Sequence, residues 1–227
     1  MNELYDPVAG RLFLFGDRAS RNILLRMTDK REISDLHSEY DLIRERADTE
    51  DFLLCAAVVS DWNGDLSPWE APPVFGNDGF GGRANETLLR LRESVIPSLL
   101  NGRAADEVSF TVGGYSLAGL FALWAACETE LFSAVAAASP SVWFPGFGEY
   151  FRNKTLHTEK LYLSLGDREE RTKNPVMCRV GDCIRDIYAQ AAGRGVHSVL
   201  EWNKGGHFDE PTLRTAKAFA WTLKNRE

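Results

Sequence analysis

The stretch Val108-Ser-Phe-Thr-Val-Gly-Gly-Tyr-Ser-Leu-Ala-Gly-Leu120 decides the fold of this chain. Its first five residues predict a β-strand that ends at two glycines, and the apolar run at residues 117–127 predicts a buried helix directly after it. A strand-to-helix bend this tight requires small residues two positions before and two positions after its central serine. Gly114 and Ala118 meet that requirement, so the pattern predicts a nucleophile elbow that presents Ser116.

The rest of the chain alternates between strand patterns and helix patterns. Strand-like apolar runs and helical spacings follow one another at residues 52–59, 85–100, 134–138, 160–165, 180–192, 196–202 and 211–223. A strand that is apolar at every position is covered on both faces, which is typical of a parallel sheet. The order therefore predicts an α/β fold in which a mostly parallel central sheet carries helices on both faces.

The amino-terminal part of the chain has weaker patterns. Residues 12–15 and 22–27 predict two short strands, joined by a Gly-Asp turn, that pair as an antiparallel edge of the sheet. Residues 33–47 fit either an exposed amphipathic helix or an irregular connection. No repeat or low-complexity linker divides the sequence, so we expect one domain over residues 1–227, without a separate lid or amino-terminal substrate module.

The composition excludes several classes of protein. The chain has 227 residues and a formal net charge of −7, with both signs interspersed. Binding to a nucleic-acid backbone needs a basic face and is therefore not expected. No apolar run has the roughly 20 residues of a membrane helix, and the first residues lack the pattern of a signal peptide. We expect a cytoplasmic protein with no membrane partner; association into a homo-oligomer remains open.

The four cysteines do not form a metal-binding motif. Cys55 and Cys127 lie in apolar runs and are expected to be small buried thiols. Cys178 and Cys183 are five residues apart, and no histidine or further cysteine lies near them to complete a zinc site. We therefore expect no metal.

His207 is the candidate base for the serine. A serine hydroxyl is a weak nucleophile near neutral pH and needs a base within hydrogen-bond reach, usually an imidazole. Of the four histidines, His37, His157 and His197 lie in segments of surface character, whereas His207 follows the last predicted strand through a Lys-Gly-Gly loop. The carboxyl ends of parallel strands meet at one edge of a sheet, where this imidazole can reach Ser116.

Three carboxylates compete to orient the imidazole. Asp167, Glu169 and Glu170 all follow the predicted strand at residues 160–165. Asp167 comes directly after a turn glycine and could cap the loop through its backbone amides. Glu169 has a longer side chain and lies far enough into the loop to point back toward His207, so we favour Glu169 and leave the other two open.

Acyl transfer also needs hydrogen-bond donors where negative charge develops on the carbonyl oxygen. The backbone amide of Leu117, directly after the serine, is one expected donor. The second is expected in the loop after an earlier strand, which begins Ser60-Asp-Trp-Asn-Gly64. Trp62 is the candidate there, and a simple turn is the alternative.

Aromatic side chains are concentrated beside these loops. Trp69, Phe75 and Phe80 lie within residues 61–83, and Trp143 follows another predicted strand. Each one alone is more often a core residue than a ligand contact. Together they predict an aromatic-lined cleft for the acyl or alcohol part of a substrate.

Four motifs occur in a characteristic order: Gly114-Tyr-Ser-Leu-Ala-Gly119, Ala138-Ser-Pro-Ser-Val-Trp143, Leu163-Ser-Leu-Gly-Asp-Arg-Glu169 and Gly205-Gly-His207. In this order and spacing they resemble the putative-esterase branch of the α/β-hydrolase fold, which includes esterase D-like enzymes and enterochelin esterases. The resemblance extends over residues 52–223. It implies Ser116 as nucleophile, His207 as base and Glu169 as acid.

The expected function is that of a serine hydrolase that cleaves a small carboxylic ester or thioester through an acyl-enzyme, without a metal or organic cofactor. The resembling enzymes act on siderophore esters, carbohydrate acetyl or feruloyl esters and thioesters, so the resemblance leaves the natural substrate open. Two alternatives remain at this point. One is an acyltransferase on the same fold, and the other is a noncatalytic binding protein, because a fold alone does not establish activity.

Overall fold

The protein is described here by a computed structural model, which covers residues 2–6, 10–100 and 102–224. Within these ranges the chain forms a central sheet of eight strands and a separate two-stranded sheet. The central strands are β1 (Asn2–Asp6), β2 (Gly10–Gly16), β3 (Asn22–Thr28), β4 (Leu53–Val58), β7 (Ser109–Tyr115), β8 (Ala134–Ala138), β9 (Lys160–Gly166) and β10 (His197–Asn203). The small sheet pairs β5 (Glu70–Ala71) with β6 (Phe80–Gly81).

The strand order is β1-β2-β4-β3-β7-β8-β9-β10. All pairs from β4 to β10 along this order are parallel, and the β1–β2 and β2–β4 pairs are antiparallel. This confirms the predicted α/β fold with a mostly parallel sheet. The strand ends that carry the candidate residues, those of β7, β9 and β10, therefore lie at the same edge.

Helices cover both faces of the sheet. They are α1 (Leu36–Ala47), α2 (Trp62–Asp65), α3 (Ala84–Arg90), α4 (Ile96–Leu100), α5 (Leu117–Glu128), α6 (Phe147–Asn153), α7 (Val180–Gly193) and α8 (Pro211–Leu223). One core cluster packs α3 to α7 against the first face, and a second packs α1 and α8 against the other. None of the helices in the described ranges has the length and apolarity needed to cross a bilayer.

The two amino-terminal strands occur where predicted, but the prediction that they pair with each other is wrong. β4 lies between them and pairs antiparallel with β2 and parallel with β3. The side chains of Ile23, Leu24 and Leu25, which alternate between the two faces of β3, are all fully buried. A strand buried on both faces belongs in the interior of a sheet, with a partner on each side, rather than at its edge.

The helix predicted at residues 85–100 contains an irregular turn. Between α3 and α4 the structure has a π-helical turn, Leu91–Val95. Pro97 lies just beyond it. Proline has no backbone N–H to donate, and in a regular α-helix its ring would clash with the carbonyl group of the residue four positions earlier. The wider turn accommodates the proline without ending the helix. Proline is a usual cause of irregular turns within helices.

The two cysteines of the apolar runs are buried, as predicted. Cys55 is 0% exposed in β4 and Cys127 is 5% exposed in α5. Burial raises the pKa of each thiol to about 12, so both stay protonated. They therefore act as small apolar side chains in the core.

Gly113, in the middle of β7, lies where an added side chain would lower the stability of the protein. A Cβ on Gly113 would lie 2.5 Å from the carbonyl oxygen of Ala136 and 2.8 Å from Cζ of Phe219. We expect Gly113→Ala to lower the free energy of unfolding by about 1–3 kcal/mol, because both neighbours must move. The measurement is urea unfolding followed by circular dichroism.

The matched control is Gly148→Ala in α6, where an added Cβ meets nothing within 4 Å. This change should raise stability by about 0.5–1 kcal/mol, because alanine restricts the unfolded chain more than glycine does. Equal effects of the two substitutions would contradict the packing argument.

Candidate active site

The bend between β7 and α5 places Ser116 in a rare backbone conformation. Its φ is 57° and its ψ is −117°, a region that side chains normally avoid. The small neighbours are required by contact, since a Cβ on Gly114 would lie 2.6 Å from Cβ of Ala118. The serine thus lies at the carboxyl end of β7, directly before the first turn of α5.

Hydrogen bonds tie this bend to the segment after β8. The amide of Ser116 donates to the carbonyl of Ala138 at 3.0 Å, and the amide of Ser141 donates to the carbonyl of Ser116 at 3.1 Å. The two hydroxyls of Ser116 and Ser141 are 3.2 Å apart. The backbone of the bend is thus held from the neighbouring strand as well as from its own.

Three side chains form one chain of hydrogen bonds at this edge. Nε2 of His207 lies 3.0 Å from Oγ of Ser116, and Nδ1 lies 2.7 Å from Oε2 of Glu169. A carboxylate accepts hydrogen bonds, so Nδ1 carries the proton in this contact and Nε2 is left to accept from the serine hydroxyl. The structure therefore brings together the serine, the histidine and the carboxylate favoured from the sequence.

The other two carboxylates of the loop have different partners. Oδ1 of Asp167 accepts a hydrogen bond from the amide of Gly205 at 2.8 Å, which ties the loop after β9 to the loop after β10. Glu170 pairs with Arg185 of α7 at 3.2 Å. Of the three carboxylates, only that of Glu169 contacts the imidazole of His207.

Sequence reasoning missed a buried arginine behind the carboxylate. Oε1 of Glu169 accepts from the amide of Gly166 at 2.7 Å, from the hydroxyl of Ser139 at 2.8 Å and from Nη1 of Arg214 at 3.0 Å. The side chain of Arg214 is 1% exposed. Burying a carboxylate without such partners is costly, so this cation offsets its desolvation.

The same arginine reaches the loop of His207 through a tyrosine. Nη1 of Arg214 donates to the hydroxyl oxygen of Tyr115 at 3.2 Å, and that hydroxyl donates to the backbone carbonyl of His207 at 2.5 Å. Burial raises the pKa of Tyr115 to about 12, so the hydroxyl keeps its proton and remains a donor. Arg214 and Tyr115 thus hold the carboxylate of Glu169 and the loop of His207 in place.

A sequence signal for this arginine exists. Arg214 lies on the stripe of α8 that also carries the buried residues Ala218 and Thr215. An arginine on the buried face of an amphipathic helix requires an acidic partner in the core. The sequence pattern does not identify that partner, because the carboxylate lies 45 residues away, in the loop after β9.

The two expected oxyanion donors lie in different surroundings. Leu117 is the first residue of α5, so its amide has no acceptor within the helix. Trp62 is the first residue of α2, which follows β4, and β3 separates β4 from β7. The guanidinium of Arg31, which follows β3, lies 5.7 Å from the Trp62 ring.

The four aromatic residues predicted to line a cleft divide into two groups. Phe80 is 5% exposed, and its ring packs against Phe144 at 5.0 Å. Nε1 of Trp69 donates to the carbonyl of Pro145 at 2.9 Å. Phe80 is therefore a core residue rather than part of a cleft wall, whereas Trp69 is partly buried and its predicted role in lining a cleft stays a prediction.

The other two rings lie closer to the surface. Phe75 is 51% exposed, and its ring contacts that of Trp143 at a centroid distance of 6.0 Å. Trp143 forms part of the wall of a cavity of about 280 Å³ that also borders Glu169 and His207. Of the four predicted residues, Trp143 is the one that borders this cavity.

Comparison with known proteins shows the family of this chain. A family model described as "Putative esterase" matches residues 29–201, which is more than half of the chain. The chain belongs to this esterase family. No curated protein matches the sequence.

Solved structures show that the esterase shares the α/β-hydrolase fold. The siderophore hydrolase EstA from Aspergillus nidulans superposes with a TM-score of 0.70 at 19% identity, covering 97% of this chain and 92% of that one. An IroE-like serine hydrolase from Shewanella oneidensis gives a TM-score of 0.71 at 13% identity, covering 97% and 77%. The enterobactin esterase FES from Shigella flexneri gives 0.66 at 17%, covering 98% and 58%.

Removal of one partner of the buried ion pair between Arg214 and Glu169 should strongly lower the stability of this esterase. Arg214→Met should lower the free energy of unfolding by about 3–5 kcal/mol, because the carboxylate of Glu169 would remain buried without its cation. The measurement is urea unfolding at neutral pH.

The matched control is Arg168→Met, which removes the exposed partner of Asp209. An exposed ion pair contributes about 0–1 kcal/mol, so this variant should unfold near the wild-type midpoint. Similar losses in both variants would show that burial of the arginine is not the cause.

Proposed function

We propose that this esterase is a serine hydrolase that cleaves a carboxylic ester or thioester through an acyl-enzyme. One observation carries the proposal: the continuous chain of hydrogen bonds from Ser116 through His207 to Glu169, which begins at a strained bend. A partly buried serine hydroxyl on a strained bend, in contact with a base, is the arrangement that activates a serine nucleophile.

In the proposed reaction, Oγ of Ser116 attacks the ester carbonyl while Nε2 of His207 accepts its proton. The tetrahedral intermediate collapses, and the imidazolium returns the proton to the departing alcohol or thiol. Water then attacks the acyl-enzyme with the same imidazole as base, which releases the acid and restores the serine. Glu169 keeps the proton on Nδ1 and stabilises the imidazolium, and Arg214 holds Glu169 in place.

The oxyanion formed in each step needs two amide donors. We assign the first to Leu117, which follows the serine. For the second we replace Trp62 by one amide of the segment Asp29-Lys30, because this segment follows β3, the strand that pairs directly with β7. In this fold the loop after that strand supplies the second donor. A buried network between Arg26 and Glu39 supports this end of β3.

Labelling with a fluorophosphonate tests the nucleophile. The reagent should modify Ser116 stoichiometrically, and Ser116→Ala should lose both labelling and ester turnover, with kcat falling by about 10⁴- to 10⁶-fold. The measurements are peptide mass spectrometry and initial rates on 4-nitrophenyl acetate.

Ser34→Ala, an exposed serine before α1, is the matched control and should retain wild-type labelling and turnover. Undiminished turnover in Ser116→Ala would refute the proposal. Product analysis with water and methanol in competition separates hydrolysis from acyl transfer, and free acid as the main product is expected.

Conservative substitution tests which carboxylate acts. Glu169→Gln should lower kcat by about 10³- to 10⁴-fold, because the amide favours the wrong tautomer of His207. Glu170→Gln makes the same chemical change one residue away, where the side chain pairs with Arg185, and should change kcat by less than about fivefold. The reverse ranking would assign the role to Glu170.

A further inference from the structure

A cavity that borders His207 has a distinctive wall. Its volume is about 280 Å³, near the lower end of small-molecule sites. His207 and Phe208 form one side, Trp143 forms another, and Arg168 and Arg171 lie at the loop after β9. The cavity is thus bordered by the residue proposed to return a proton to the leaving group.

The charges around this cavity are balanced except for one. The carboxylate of Glu169 is paired with Arg214 on its buried side. Arg168 pairs with Asp209 at 3.3 Å, and both side chains are more than half exposed. These two pairs leave little net charge at the wall.

The remaining charge is that of Arg171. Its side chain is exposed, and no ion pair or hydrogen bond joins its guanidinium to any residue within 2–6, 10–100 or 102–224. The neighbouring carboxylate of Glu170 is directed to Arg185 instead. The cavity therefore carries an uncompensated positive charge on a chain whose net charge is −7.

An unusually exposed aromatic ring borders the same cavity. Phe208 is 91% exposed, and its ring is 5.3 Å from the imidazole of His207 in an edge-on arrangement. A phenylalanine this exposed buries almost none of its apolar surface in the fold. A planar or apolar group bound in the cavity would cover this ring together with Trp143.

We infer that this cavity binds the alcohol part of an ester whose alcohol carries a carboxylate, with Arg171 as the specificity-determining residue. The inference rests on the proposed function. The leaving oxygen must lie within hydrogen-bond reach of Nε2 of His207, so the alcohol extends into the space that this residue borders. Arginine binds a carboxylate through two parallel hydrogen bonds, and Phe208 contacts the body of the group.

A pair of esters that differ only in charge tests the inference. The probes are 4-carboxyphenyl acetate and 4-carbamoylphenyl acetate, and the readout is the ratio of their kcat/KM values after correction for spontaneous hydrolysis. Arg171→Gln should lower this ratio about tenfold relative to the wild type, which corresponds to about 1.4 kcal/mol.

Lys173→Gln is the matched control. It removes one positive charge from the same loop, but Lys173 does not border the cavity. The ratio should then stay within about twofold of the wild-type value. An equal fall in Arg171→Gln and Lys173→Gln would mean that general surface charge acts rather than a specific contact, and would overturn the inference.

A second measurement does not depend on turnover. 4-Acetamidobenzoate should slow fluorophosphonate labelling of Ser116, whereas 4-acetamidobenzamide should not, and the protection should be lost in Arg171→Gln. An unchanged ratio together with equal protection by both compounds would overturn the inference and leave the proposed function intact. Absence of labelling at Ser116 would instead overturn the proposed function, and the inference with it.

Discussion

The bend at Ser116 leaves room only for a hydrogen atom at position 114, because a Cβ there would lie 2.6 Å from the methyl carbon of Ala118. This steric limit forces β7 to pass into α5 within a single residue, and the cost is a serine in a conformation that side chains normally avoid. The surrounding sheet sustains that cost through the hydrogen bonds that Ala138 and Ser141 make to the bend. The remaining features of the site are arranged around a serine whose backbone is held in place.

Burial of the carboxylate imposes a second requirement. Glu169 accepts four hydrogen bonds, from Gly166, Ser139, His207 and Arg214, and its side chain is 4% exposed. Its partners come from β9, from the segment after β8 and from α8, so the site depends on the edge of the sheet and on a helix that covers one of its faces. The cluster that fixes the acid also fixes the loop of His207, through Tyr115.

The parts of the fold and site that the sequence predicts are those set by local pattern. The positions of Ser116, Glu169 and His207 follow from small residues, strand ends and glycine loops, each visible within about ten residues. The insertion of β4 between β2 and β3 was mispredicted, because strand order depends on contacts between distant segments. The partner of Arg214 and the packing of Trp69 were missed for the same reason, since local composition does not specify which surfaces meet.

Ser116 and His207 are 91 residues apart in the sequence, and His207 is supplied by the loop after β10, which is an edge strand of the sheet within the described part of the chain. Most residues of β10 are half-buried or exposed, and segments with few buried contacts open more readily than the core. Brief detachment of β10 would therefore move His207 away from Ser116 while most of the core remained intact. The rate of ester hydrolysis would then depend on local opening of β10. On mild heating, activity would be lost at a lower temperature than the overall fold.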